Sequence, residues 1–243
     1  MKNSYQLLGS ILAGFGIIFS ILSYFVIGSI PLTALGIGCL IIGVASIMLP
    51  PNPVPKSMVR EMLRNSATNI EALLEEFQVE GRALYLPPKE GYVSAFITIE
   101  ERPITEIAYA NEIPLRLLSV ASGSKGVTIF PPASEIAKAV EAYEESSYEQ
   151  LLNSVLVEQL EMAASAKAVE KGNAFAVEID KPKIVPKLPR FNRSLGTLPS
   201  SIAASCLAFK SKKRIAIEDE KVFDDKIILT LRVFEKDEMN KED

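Results

Sequence analysis

The side chains best suited to chemistry are unevenly distributed, and the commonest of them is missing. The chain contains no histidine, which removes the usual general base near neutral pH and the usual nitrogen ligand for metals. Ser-His-Asp and Cys-His catalysis are thereby excluded, and so are histidine-based zinc sites. Of the two cysteines, Cys39 falls in an apolar region and Cys206 in a polar one. Neither a disulfide between them nor a structural zinc site is expected. No catalytic residue, metal site or cofactor is assigned on these grounds. Carboxylate or lysine chemistry needs no histidine and stays open as an enzymatic reading.

Two groups of residues could hold an anion. The first is basic: Lys181, Lys183, Lys187, Arg190 and Arg193 are interleaved with prolines and Phe191, and Lys210, Lys212, Lys213 and Arg214 follow. Folded together, they would make a positive surface for anionic lipid, nucleic acid or a phosphorylated ligand. Left apart, they are a solvated loop and a helix end carrying favourable positive charge. The second group is Gly196, Thr197, Ser200 and Ser201, ahead of and within the start of a helix. Free backbone N–H groups at such a start can bind an anion; an ordinary N-cap and tight turn account for the same residues. Neither a Walker lysine arrangement nor a G-x-G-x-x-G fingerprint is present. Gly123-Ser124-Lys125-Gly126 reads as a turn between strands. Glu218, Asp219, Glu220, Asp224 and Asp225 are expected in a solvated hairpin turn, without the spacing of an EF-hand. The net charge of −4 gives no general drive toward nucleic acid.

These residues must be positioned by two quite different materials. From Asn3 to Pro55 there is no charged residue, and every acidic residue and every basic one except Lys2 lies from Lys56 onward. Residues 1–50 are expected to form a transmembrane helical hairpin with spans at 5–27 and 32–49, joined by Gly28-Ser29-Ile30-Pro31. A helix over 5–27 is ~34 Å long, enough for a hydrocarbon core of ~30 Å. Gly9, Ala13, Gly16 and Ser20 on the first span, with Gly36, Cys39 and Gly43 on the second, recur at helical spacing. Small residues so placed let backbones touch, either within the hairpin or between copies in a homo-oligomer. The first span is too long, and too closely followed by a second, for a cleaved signal peptide. Neither span carries an ionisable residue for an ion path, which argues against a transporter or channel. Lys2 on one side and Lys56, Arg60 and Arg64 on the other place the N- and C-termini in the cytoplasm, in a multi-pass cell-membrane protein.

Residues 51–56 continue a proline-rich spacer, with prolines at 50, 51, 53 and 55. Residues 57–234 are then expected to form a cytoplasmic α+β domain, and 235–243 a polar tail. The domain opens with an amphipathic helix over Ser57–Phe77, with Met58, Met62, Leu63, Ile70, Leu73, Leu74 and Phe77 roughly on one face. It either packs on its own domain or lies on the membrane. Strands are expected at 82–86 and 92–99, more weakly at 103–110 and 115–120, and at 126–130. The segments LYLPP (84–88) and TIFPP (128–132) look alike, suggesting equivalent strand ends. Helices are expected over 134–143 and, as one long run closed by Gly172, over 147–171. A strand follows at 173–179, then an irregular stretch at 180–198, a small-residue helix at 199–211 and a terminal β-hairpin ending at Phe234.

This layout resembles a family of uncharacterised archaeal two-span membrane proteins that carry a C-terminal cytoplasmic α+β domain. The block GRALYLPP (Gly81–Pro88) and the small-residue helix leading into a hairpin (Gly196–Phe234) carry the resemblance. It implies no activity. The C-terminal segment is also similar to the ending of vinyl-reductase-like sensor domains, which show G-x-P-x-C before their last helix. Here Gly196-Thr197-Leu198-Pro199 is followed by a cysteine only at Cys206, so no metal role carries over. The function expected is a non-catalytic platform for a protein or anionic-lipid partner. A small-molecule sensor is the alternative, and nucleic acid is disfavoured. A platform predicts an exposed apolar patch without a deep cavity; a sensor predicts an enclosed pocket near the last helix and hairpin.

Overall fold

A computed structural model describes residues 4–48, 55–110, 113–132, 134, 146–183 and 185–234. Residues 135–143 of the expected helix, 51–54 of the proline spacer and the polar tail 235–243 lie outside the described residues. The chain divides into two compact units, Met1–Pro55 and Lys56–Asp243.

In the first unit, helix α1 (Ser4–Leu22) runs on into a π-helical turn, Ser23–Ile27, which ends at Gly28 with φ 67°. Helix α2 (Ile30–Met48) returns alongside it. Glycines set the approach. A Cβ on Gly16 would lie 2.6 Å from the Leu40 nitrogen and 2.7 Å from the Gly36 carbonyl oxygen, and one on Gly43 would lie 2.5 Å from the Ala13 nitrogen. The two backbones therefore meet along the line Gly9–Ala13–Gly16–Ser20 against Gly36–Gly43. Large apolar side chains face outward, with Phe25 77% and Ile30 80% exposed. That exposure is the reverse of a core helix in a water-soluble fold. Leu7–Ile27 and Ile30–Met48 are long and apolar enough to cross a membrane.

The second unit is mixed α and β. Among the described residues eight strands form one sheet in the order β3-β4-β2-β1-β7-β8-β6-β5, every neighbouring pair antiparallel. The strands are β1 (Ala83–Tyr85), β2 (Ala95–Thr98), β3 (Leu118–Ala121), β4 (Ser124–Ile129), β5 (Ser165–Lys171), β6 (Ala174–Asp180), β7 (Arg214–Val222) and β8 (Lys226–Phe234). One face packs against helix α3 (Lys56–Glu76), α5 (Tyr148–Leu152, continued by a π-helical segment Asn153–Gln159), α6 (Pro189–Leu195) and α7 (Leu198–Ser211). Among the described residues, the other face is covered around Leu84, Phe96, Ala216 and Phe234, by the short helix α4 (Ile104–Ala108) and the residues after it.

Helix α7 is buried all round from Leu198 to Phe209. Its alanines and serines let it sit flush on the sheet, as a helix enclosed on every side requires. The two Pro-Pro segments do end equivalent strands. Tyr85 and Ile129 both pair with Ala95, from opposite sides of β2; the prolines that follow cannot continue either ladder.

Four local expectations are corrected. The run 147–171 is not one helix. The capping box Ser147–Gln150 starts α5 as its sequence suggests, but β5 begins at Ser165 and Gly172 (φ 57°) turns the β5–β6 hairpin. Alanine, glutamate and lysine favour helix locally, yet pairing with β6 overrides that preference. The Asn153 side-chain amide fixes the change by exchanging two hydrogen bonds with the backbone of Ala166. Residues 104–108 are helical rather than extended, and the irregular stretch 180–198 contains α6. Met58 and Met62 do not share the packed face of α3; they are 59% and 65% exposed, while Val59, Leu63, Ala67 and Leu74 point inward. At 100° per residue the two methionines lie well to one side of that inward stripe.

Candidate functional site

Gly196 joins α6 to α7 at φ 76°, and a Cβ there would lie 2.6 Å from the Ile217 Cδ1. Thr197 follows as the N-cap of α7, but its side chain makes no capping bond to its own helix. A carboxylate from the sheet does so instead. Glu220 accepts from the Thr197 N–H at 3.0 Å, the Thr197 hydroxyl at 2.7 Å and the Ser200 hydroxyl at 2.5 Å. A negative charge at that end also suits the helix dipole.

Glu220 reaches this place because β7 carries a bulge. The register with β8 shifts between Ile217 and Asp219, so that Ile217 pairs with Leu231 and Glu220 with Leu229. Leu229 and Leu231 are both buried on the helix-bearing face. Without the extra residue Glu220 would point to the opposite face. Arg82 holds the bulge by donating to the Ile217 and Glu218 carbonyls at 3.3 and 2.6 Å. The three carboxylates expected in a solvated turn, Glu218 to Glu220, thus belong to a strand, and the turn itself is Phe223–Asp225.

Ser201 is engaged in turn. The Tyr85 hydroxyl donates to the Leu195 carbonyl at 2.8 Å and lies 2.9 Å from the Ser201 hydroxyl. Burial pushes the Tyr85 phenol far above its ordinary range, the Ser201 contact opposing this weakly. Gly196, Thr197, Ser200 and Ser201 are therefore brought together, and the chain's own carboxylate and phenol occupy them. Thr197, Ser200 and Ser201 are at most 3% exposed. Ser200 beside Glu220 is a hydroxyl next to a base, but it is sealed from any substrate.

The basic residues are dispersed. Arg190 donates to the Val79 carbonyl at 3.3 Å, and Arg193 pairs with Glu101 at 3.2 Å. The start of α6 takes the Glu71 carboxylate on the N–H groups of Arg190 and Phe191. Lys181 and Lys183 bond through their backbones to the Asp225 and Met162 carbonyls, and their side chains are exposed, as are those of Lys187 and Lys212. Lys210 donates to the Ser146 carbonyl and lies over the Tyr148 ring. Arg214 donates to the Ala108 carbonyl at 2.5 Å, its guanidinium pKa lowered by burial. Lys213 is half-buried.

An open cleft of about 420 Å³ lies elsewhere, on the sheet face that carries α4. Arg82, Arg102 and Arg232 line it, with Ala216, Phe234 and Ile104 among its apolar walls. None of the basic residues singled out in the sequence contributes. These three arginines are far apart in the chain, and the strand order together with the placement of α4 gathers them. The one local signal is β8, where Arg232 alternates with the buried Leu231 and Val233. A second open groove, along α5, is lined by hydroxyl, amide and carboxylate groups such as Ser147, Asn153 and Glu158. Among the described residues, no group of three His, Cys, Asp or Glu is placed to hold a metal. No curated protein and no solved structure matches this chain. Residues 2–232 match a domain of unknown function, DUF7982, and the chain belongs to that family.

Proposed function

We propose that this protein is a membrane-anchored, non-catalytic interaction platform. The hairpin crosses the membrane twice, with both termini in the cytoplasm, and the α+β unit docks a protein partner through its β3 edge. The observation that carries this reading is the contrast between the two sheet edges. The β5 edge exposes Lys167, Glu170 and Lys171 around Val169, the charged pattern that discourages strand addition. The β3 edge exposes Leu118 and Val120, 53% and 56% accessible, with Leu115 and Leu117 just before them. Among the described residues its outer hydrogen-bonding groups have no neighbouring strand in the sheet, so a strand from a partner would extend it.

The packing of α7 supports a platform over a sensor, because the place where a sensor would enclose its ligand is filled by side chains. The reading is tested with a photo-crosslinking residue at position 118 or 169 of the full-length protein in its native membrane. A defined adduct is expected at 118, and Val120→Lys should abolish it. Equal adducts at both positions, or none at 118, would refute a docking role for this edge.

A further inference from the structure

The arginine-lined cleft has features that the platform reading does not use. Strands β1 and β8 flank β7; Leu84 pairs with Ala216, and Ala216 with Arg232. With strands ~4.8 Å apart, β1 and β8 are separated by ~10 Å. Arg82 from the start of β1 and Arg232 from β8 therefore stand on either side of a small residue, Ala216, which leaves the floor low between them. Both guanidinium groups are oriented without being neutralised. Arg82 is held by two backbone carbonyls, and Arg232 lies 5.4 Å from the centre of the Phe234 ring. Among the described residues neither has a carboxylate partner. Arg102 adds a third positive group from the α4 side, paired with Glu100 on the surface. Glu101 and Glu218 also line the cleft; Glu101 is already engaged by Arg193, and Glu218 is exposed.

We propose that this cleft binds a phosphate monoester or carboxylate headgroup attached to a short apolar chain. Guanidinium groups fixed in position suit the planar, bidentate recognition of such anions. Phe234, Ala216 and Ile104 offer the apolar part a wall and floor. The volume is at the small end of ligand sites, roughly 300–1,000 Å³, which fits a single short chain. The headgroup could belong to a membrane lipid or to a soluble metabolite.

The test uses full-length protein in phosphatidylcholine nanodiscs, titrated calorimetrically with octyl phosphate. Saturable binding is expected, with none for 1-octanol. Arg232→Ala and the bulkier Arg232→Gln should weaken it at least tenfold. Arg64→Ala, an equal loss of charge on the exposed part of α3, should leave it unchanged. Nanodiscs containing phosphatidic acid separate the sources: if they suppress octyl phosphate binding the site takes a lipid headgroup, and if they do not it takes a soluble one. Absence of saturable binding by the unaltered protein, or equal weakening by Arg64→Ala and Arg232→Ala, would overturn the proposal.

Discussion

Removing the Glu220 carboxylate should destabilise the α+β unit by an amount that the local hydrogen bonds set. In Glu220→Ala the Thr197 N–H, the Thr197 hydroxyl and the Ser200 hydroxyl all lose their acceptor. The two hydroxyls are 2.7 Å apart and can bond to each other, so one hydroxyl is rescued. One buried N–H and one hydroxyl hydrogen are left without partners. Hydrogen bonds to a charged group contribute about 1.5–3 kcal/mol each, and they are not additive when they share an acceptor. A loss of about 3 kcal/mol follows, including ~0.5 kcal/mol from the helix dipole. For a unit of this size that corresponds to a fall in Tm of roughly 6–12 °C. Glu220→Gln keeps one acceptor oxygen and should lose about half as much. Thermal unfolding of the full-length protein in nanodiscs, followed by circular dichroism, measures both. The reasoning fails if Glu220→Ala shifts Tm by less than about 2 °C, or if the alanine and glutamine variants are indistinguishable.

Three other expectations are simpler. Gly16→Leu should destabilise the helical hairpin by about 1–3 kcal/mol, as overpacking does, because its Cβ would meet the α2 backbone; Gly14→Leu, with nothing within 4 Å of its Cβ, should be neutral. Protease resistance of the two variants in nanodiscs compares them. Cys206 is fully buried and its thiol is pushed up to about 12, so in a Cys39→Ser background maleimide should label it only after denaturation. Lys56, by hydrogen bond and charge, and then Arg60 hold the Glu161 carboxyl below its usual range. Its contribution to anchoring the start of α3 is thus present above the ordinary carboxylate pKa and lost as pH falls through the lowered folded value. Measured against the intrinsic exchange rate at each pH, the hydrogen-exchange protection of residues 58–62 should fall as the pH drops through and below the ordinary carboxylate range, and Glu161→Gln should show the lower protection already at neutral pH.

The parts of the fold that were legible are those where a long segment has one character. Fifty residues without a charge announce two apolar helices, and α7 and the β7–β8 hairpin follow from a run of small residues and a run of β-branched ones. The split between α5 and β5 was not legible, because Leu160–Lys171 is locally helix-favouring and becomes a strand only by pairing with β6. At the start of α7 the sequence marks Gly196, Thr197, Ser200 and Ser201 but gives no sign of the Glu220 carboxylate that meets Thr197 and Ser200. Glu220 faces them only because one extra residue in β7 reverses its side, and a bulge leaves little trace in a single sequence. The arginine cleft is less legible still. Arg82, Arg102 and Arg232 become neighbours through the order β1-β7-β8 and the placement of α4, whereas the basic runs that draw the eye in the sequence are spread over the surface by the same topology.

The anchored platform rests first on the hairpin crossing the membrane with its short turn outside. The most direct measurement introduces a single cysteine at Ser29, in a chain with Cys39 and Cys206 replaced by serine, and treats intact cells with a membrane-impermeant maleimide. Labelling from outside, with the protein resisting carbonate extraction, is the result the account predicts. Labelling only after the inner face is opened would contradict it, as would release of the protein by carbonate.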